Sequence, residues 1–406
     1  MHSKHSTDVH EPWSKKHKRV TKSSQGGLKY SLSNSYTQPL TNVELLHLTR
    51  SRGDLRLVEQ YENHTLGYTP NGGSLDLREE ISHLYGETIT AENILVFAGA
   101  QVALQTAALA LSKDCHSIVF LPGYQSTAMG PAMVGGDVTK IMLSPSNGWA
   151  IPLDKVAQAI QPGKTKYLVI NEPYNPAGTL MSQQTQQELI ALAKKHSIII
   201  MSDEVYRLLE HDSNDRLPAM ADVYCQGISC VTMSKPWGGC GITIGWLAFP
   251  DVSLKQKLVD VQYFGTACPS RASELQAMMV LRASDHILDK NLTIVRHNKT
   301  LLKQFMHTYA DLFSWTEPTA GAVAFIKFKG PMTSEQLGEQ LAMQNISIKP
   351  AYCFSDEVTD ETDCFRVGFG EEKMPKALAA LGAFVEHHKE NWRLAMRERR
   401  RRRSKL

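Results

Sequence analysis

From about residue 93 onward, short apolar runs alternate with stretches whose apolar positions recur at helical spacing. The runs at 94–97, 117–121, 138–143, 167–170, 198–201, 228–233 and 242–249 are rich in Ile, Val, Leu and Phe and do not alternate with polar residues. That pattern predicts strands covered on both faces. Helical periods at 101–111, near 126, at 153–160 and at 183–196 lie between them. Strand and helix in turn predict a parallel sheet with crossover helices. After Asp251 the pattern is helical to about Tyr309. Strands at 321–327, 346–350 and 364–368 and a helix at 373–389 then predict a smaller α/β unit, bridged to the first by a long helix near Asn291.

The fold class expected is therefore α/β: a mostly parallel seven-stranded sheet flanked by helices, with a smaller α/β domain. Residues 1–28 are polar and aperiodic and are expected to form a disordered basic leader. Residues 29–62, with a helix at 42–49, should pack with the small domain; 63–288 form the large domain, 289–392 the small one, and 393–406 a basic tail. A turn-rich stretch at 67–73, Gly-Tyr-Thr-Pro-Asn-Gly-Gly, precedes a helix starting near Ser74. Turns of this kind often line a site.

Composition changes this picture little. The chain has 406 residues, 42% of them apolar, which is enough for a sizeable core. The formal charge of +3 is owed to the two ends, so the body is not basic and no nucleic-acid partner is expected. Seven cysteines without a C-x-x-C pair suggest reduced thiols in an intracellular protein, and no metal site is expected. No apolar run is long enough to cross a bilayer, so no membrane partner is expected. The ending Ser404-Lys405-Leu406 matches a peroxisomal address, which counts only if the source is a eukaryote; otherwise a cytoplasmic location is expected.

Chemistry is expected beyond the carboxyl ends of the strands, where open sheets of this type hold ligands. There the chain places Ala98-Gly-Ala100-Gln101 at a helix start suited to an anion, and Pro122-Gly-Tyr124 with an aromatic face. Next come Asn171-Glu-Pro-Tyr-Asn175-Pro-Ala-Gly178 and Ser202-Asp203-Glu-Val-Tyr206. An acid ending a buried strand is costly unless a cation satisfies it. Finally Val231-Thr232-Met-Ser234-Lys235-Pro-Trp237-Gly-Gly sets a lysine between a strand and a glycine-rich turn. A lysine in a desolvated site can capture a carbonyl. A phosphate cradle, an aromatic platform, an Asn, an Asp with a Tyr, and a Lys are together the parts that hold pyridoxal phosphate (PLP).

In order and spacing these blocks, with Phe365-Arg366-Val-Gly, resemble the class I/II aminotransferases of the fold type I PLP enzymes, from about Tyr30 to Lys389. The resemblance implies a PLP-dependent transferase that moves an amino group between an L-amino acid and a 2-oxo acid. By it, Lys235 forms the internal aldimine, Asp203 pairs with the pyridinium nitrogen, and Asn175 and Tyr206 bond the ring's O3′. Tyr124 stacks on the ring, and Ala100, Gln101 and Thr232 or Ser234 hold the phosphate. Arg366, with Asn175, takes the substrate carboxylate. Tyr68 reaches the neighbouring subunit's phosphate, which implies a homodimer with shared active sites. One position departs from the pattern: Thr243 stands where the family usually has a phosphate-binding arginine. Together with the unusual Pro236-Trp237-Gly238-Gly239, that leaves open a lyase, cyclase or oxidase reaction of the kind run by capreomycidine synthases and PLP-dependent arginine oxidases.

Overall fold

The computed structural model describes residues 28–403. Among these residues thirteen strands are formed. The large sheet holds β2 (Ile94–Phe97), β3 (His116–Leu121), β4 (Asp137–Met142), β5 (Thr165–Asn171), β6 (Ile199–Asp203), β7 (Gly227–Thr232) and β8 (Gly245–Ala248). A four-stranded sheet holds β9 (Phe313–Trp315), β10 (Val323–Phe328), β12 (Lys349–Pro350) and β13 (Cys364–Gly368), while β1 (Tyr30–Ser31) pairs with β11 (Ile346–Ser347).

The large sheet runs β2-β8-β7-β6-β5-β3-β4, and only β8 is antiparallel to its neighbours. β2, β3, β7 and β8 are buried along their whole length because both faces are covered, whereas the edge strand β4 is largely not. Ile94 and Val96 enter one core with Leu275, Met278 and Trp246, whereas Leu95 and Phe97 enter another with Ala103, Ala107 and Leu258. Along β5, Leu168 and Ile170 pack on Leu189 and Ala193 of the helix Gln183–His196, while Tyr167 and Val169 face the opposite layer. One layer of helices therefore lies on each face. The four-stranded sheet is antiparallel in order β12-β13-β10-β9, and the helices Ser284–Thr308 and Met374–Arg403 cover it through Val295, Leu302, Leu381 and Val385.

Several expectations need correction. The run 242–249 is not one strand: Cys240–Ile242 is a 3-10 turn, Thr243 adopts φ +56°, and only Gly245–Ala248 pairs. No helix directly follows Asp203; residues 205–208 form a turn. Helices at Leu55–Asn63 and Ser334–Met343 and strand β9 were not foreseen. The segment 29–62 divides: β1 joins the small unit, but Leu45, Leu57 and Val58 sink into the large unit's core beside Leu275. The terminal helix does not stop near residue 389 but runs to Arg403. Trp392, buried against Phe328 and Phe384, and Arg393, bonded to Asp311 at 2.7 Å, hold that extension. Residues 1–27 and the ending Ser404–Leu406 lie outside the described residues.

Candidate active site

A cavity of about 280 Å³ opens at the carboxyl ends of β5, β6 and β7. Ala100, Gln101, Tyr124, Asn175, Asp203, Tyr206, Thr232, Ser234 and Lys235 all line it, so residues 135 positions apart in the chain meet there. Arg366 reaches its edge by donating from Nη1 to Asn175 Oδ1 (3.0 Å) and from Nη2 to the Ser33 carbonyl (2.8 Å). Tyr68 does not line this cavity. It is 99% exposed and lies beside a separate surface pocket with Arg56, His64 and Arg271.

Lys235 extends its amine to Ser35 Oγ at 3.0 Å, 6.0 Å from the centre of the Tyr206 ring. Burial lowers its pKa to about 8, assisted by the nearby Arg366 charge and opposed by Asp203. The amine is thus within reach of its uncharged, nucleophilic form near neutral pH. Its loop is fixed from behind: Thr37 Oγ1 donates to the Lys235 carbonyl (2.8 Å), Asn291 Nδ2 to the Pro236 carbonyl (3.0 Å), and buried Trp237 Nε1 to Ser284 Oγ (2.7 Å). Pro236 and Trp237, which looked irregular in the sequence, anchor the loop to the long helix.

Asp203 ends β6 with 2% of its surface exposed, and desolvation raises its carboxyl to about 7. It accepts one long bond, 3.4 Å, from the Val205 N–H. Asn171 orients this corner: its amide donates to the Asp203 carbonyl (2.8 Å), and its oxygen accepts the Asn175 N–H (2.6 Å). The hydroxyl of buried Tyr206 and the Nε of Arg366 have no hydrogen-bond partner. Gln101 Nε2 donates to Tyr124 OH at 2.5 Å, and burial raises the Tyr124 phenol.

The other end of the cavity is built for an anion. The helix Ala100–Leu111 starts after Gly99 at φ +89° with no side-chain cap, leaving its first N–H groups open. Gly245 lets the backbones meet, because a Cβ there would stand 2.5 Å from the Ala100 nitrogen. Thr232 and Ser234 set hydroxyls 3.3 Å apart beside it. Thr243 lines this end too, with a weak 3.4 Å bond to the Gly241 carbonyl and no positive charge to offer.

These features fit PLP: an uncapped helix end for its phosphate, a lysine amine for its aldehyde, an unbonded phenol for its ring oxygen, and a buried acid that needs a cation. A family model described as aminotransferase class I and II matches residues 41–381. The chain belongs to this family. As an aminotransferase of class I and II it is a PLP-dependent transferase. A PLP-dependent aminotransferase from Streptococcus suis is similar in structure, with a TM-score of 0.82 at 27% identity, over 92% of this chain and 96% of that one. A probable aspartate aminotransferase of Methanocaldococcus jannaschii is 25% identical over 311 residues, 74% of this chain and 80% of that protein. Capreomycidine synthase of Streptomyces vinaceus is also 25% identical, over 67% of this chain and 68% of that protein. The alternative of a lyase, cyclase or oxidase thus has a relative in capreomycidine synthase, but the family and most of the similar proteins reported are aminotransferases, which favours amino-group transfer.

Sequence reasoning missed Ser35 and Ser33, which the segment before the first helix delivers to Lys235 and Arg366. A serine in a mixed stretch carries no periodic signal. Lys349 was also missed; its strand places it opposite Arg366. A second, more apolar cavity of about 210 Å³ lies among Phe120, Leu143, Trp149 and Glu172, and it contains no lysine. Among the described residues no helix is long and apolar enough to cross a membrane.

Proposed function

We propose that the cavity around Lys235 is the site of amino-group transfer between an L-amino acid and a 2-oxo acid. The observation that carries this reading is the meeting of the Lys235 amine, the Asp203 carboxyl and the Tyr206 hydroxyl in one cavity whose far end is an uncapped helix start. When bound there, PLP supplies an aldehyde and an electron-accepting ring. Asp203 holds the ring nitrogen's proton, since its own buried charge is otherwise uncompensated. Asn175 and Tyr206 would hold the ring oxygen, and Tyr124, which lines the same cavity, would offer its aromatic face to the ring. Ala100, Gln101, Thr232 and Ser234 take the phosphate, with hydroxyls and N–H groups in place of the arginine that Thr243 replaces.

Arg366 receives the substrate's α-carboxylate as a fork, with Asn175 fixing its angle. Held in this way, the α-carbon faces Lys235. With a pKa of about 8, Lys235 takes and returns the proton there. The observation supporting a shared site is the exposure of Leu66, Tyr68 and Phe264, between 89% and 99%, on two segments joined by the Thr69 hydroxyl's hydrogen bond to the Pro269 carbonyl. Large apolar side chains left this exposed suit an interface, and a second copy of this chain placed against them would carry Tyr68 to its neighbour's phosphate.

The test is the half reaction. Loaded enzyme given an amino donor alone should convert its bound cofactor to the amine form, read by absorbance. Borohydride trapping followed by peptide mass spectrometry should find the cofactor on Lys235. Cofactor attached elsewhere, or full donor conversion by Lys235→Ala, would refute the assignment. Sedimentation should show a dimer, and Tyr68→Ala should weaken cofactor binding.

A further inference from the structure

Among the described residues the Lys235 amine has one hydrogen-bond partner, the Ser35 hydroxyl at 3.0 Å. Asp203 bears on that amine through its charge, and the centre of the Tyr206 ring stands 6.0 Å away. Ser35 lines the same cavity. It arrives on a segment from outside the large sheet, and that segment is pinned on both sides of it. Before Ser35, the Leu32 carbonyl accepts the Gly368 N–H (2.7 Å), the Ser33 carbonyl accepts Arg366 Nη2 (2.8 Å), and Asn34 Nδ2 donates to Glu371 Oε2 (2.6 Å). The two backbones lie so close that a Cβ on Gly368 would strike the Asn34 oxygen. After Ser35, buried Thr37 donates from Oγ1 to the Lys235 carbonyl (2.8 Å) and accepts from Asn291 Nδ2 (2.9 Å). Residues 33–37 thus reach from the Arg366 fork to the Lys235 amine and set the spacing between them. Neighbours held this firmly fix the place of the Ser35 side chain before any ligand arrives.

An amine that takes a proton from carbon becomes an ammonium, which in a desolvated pocket needs an acceptor. The Asp203 carboxyl, by the reading above, is taken by the ring nitrogen. A serine oxygen has lone pairs to accept with and keeps its own proton. We propose that Ser35 is a positioning residue for proton transfer: its hydroxyl holds the free Lys235 amine at the substrate's α-carbon, at the spacing from Arg366 that residues 33–37 fix. In that step the α C–H bond breaks and the proton passes to Lys235 Nζ. The electron pair passes to the bound cofactor, and the ammonium donates to Ser35 Oγ until the proton is returned. This rests on the reading above that Lys235 moves the α-proton.

The first measurement needs no cofactor: the pH midpoint for acylation of Lys235 in cofactor-free protein, followed by peptide mass spectrometry. A bond accepted from the ammonium favours the charged form. Its removal in Ser35→Ala is expected to lower the midpoint from near 8 by about one pH unit, and Ser35→Thr is expected to restore it. Asp203, Tyr206, Cys240, Arg366 and Lys349, the titratable groups that bear on this amine, are the same in all these proteins. The second measurement uses loaded enzyme and a mixture of the protein L-amino acids in heavy water, with α-deuterium incorporation read for each by mass spectrometry. The one exchanged fastest by the parent is then titrated alone. Ser35→Ala is expected to exchange it roughly tenfold more slowly at saturation, with the half-saturating concentration within about twofold of the parent's. Ser35→Thr should recover the rate. An unmoved midpoint would overturn the proposal, and so would exchange at the parent's rate or a loss confined to the half-saturating concentration. Ser35→Cys, a poorer acceptor of nearly the same size, carries the same expectations and stands in should the alanine variant not fold. A parent enzyme that exchanges no α-proton would count against the proposed function, and the midpoint alone then decides whether Ser35 holds the amine.

Discussion

Replacing Asp203 with asparagine should stabilise the cofactor-free protein and weaken the loaded one. In the fold the Asp203 carboxyl titrates at about 7, against an ordinary 3.8, because burial penalises its charge. A group whose pKa is raised by folding contributes stability that is complete below its ordinary pKa and is lost as pH rises through the folded value. The window is therefore about pH 4 to 7. Between pH 5 and pH 8 about two pH units of that window are crossed, at ~1.4 kcal/mol each, so this group removes roughly 3 kcal/mol of stability. The amide of the Asp203→Asn variant would carry no such charge. Glu172, raised to about 8, and Glu204, also raised, titrate in both proteins and cancel in the comparison. Urea unfolding of the two cofactor-free proteins at pH 5, 6, 7 and 8 should give curves that diverge by that amount, with Asp203→Asn the more stable at pH 8. With PLP bound the sign reverses. The variant loses a charge-assisted bond to the ring nitrogen, roughly 1.5–3 kcal/mol or ten- to a hundredfold in affinity. Parallel pH–stability curves would refute the claim that Asp203 is a desolvated acid awaiting a cation.

Three further outcomes follow from the same geometry. In cofactor-free protein the Lys235 amine should react with an acylating reagent half-maximally near pH 8, not near 10.5, as tracked by peptide mass spectrometry; a midpoint above 10 would remove the desolvated lysine. Thr243→Arg should tighten PLP binding about tenfold, the yield of one charged hydrogen bond at the phosphate end, while pyridoxal without its phosphate binds as before; equal gains for both ligands would place Thr243 elsewhere. Trp392→Ala should cost roughly 3–5 kcal/mol, as large buried aromatics do, and should lower helix content by circular dichroism, because Trp392 packs between Phe328 and Phe384 and fastens the last turns of the terminal helix. A change below about 1 kcal/mol would show that those turns need no anchor.

The large sheet was legible from the chain because its strands are buried on both faces. Runs such as 94–97 or 198–201 are then apolar without interruption, and a polar residue at such a run's end, Asp203 or Asn171, stands out. The terminal helix was read short because the Arg-rich stretch after residue 396 has no apolar period; the anchors that let it continue, Trp392 on Phe328 and Arg393 on Asp311, join distant parts of the chain. The break at Thr243 was hidden for a different reason. Ile242 and Ile244 are both buried, so the apolar pattern continues across a turn that only backbone geometry reveals.

By itself the sequence determined the order of elements, the family blocks and the identity of the reactive groups, since periodicity and spacing are local properties of the chain. Tertiary structure alone decided what those groups can do. It delivered Ser35 to Lys235 from 200 positions away and set Lys349 opposite Arg366 across two strands. By excluding water it brought a lysine and an aspartate that would titrate near 10.5 and 3.8 to about 8 and 7. Contact and desolvation depend on which residues share a space, and no spacing along the chain records that.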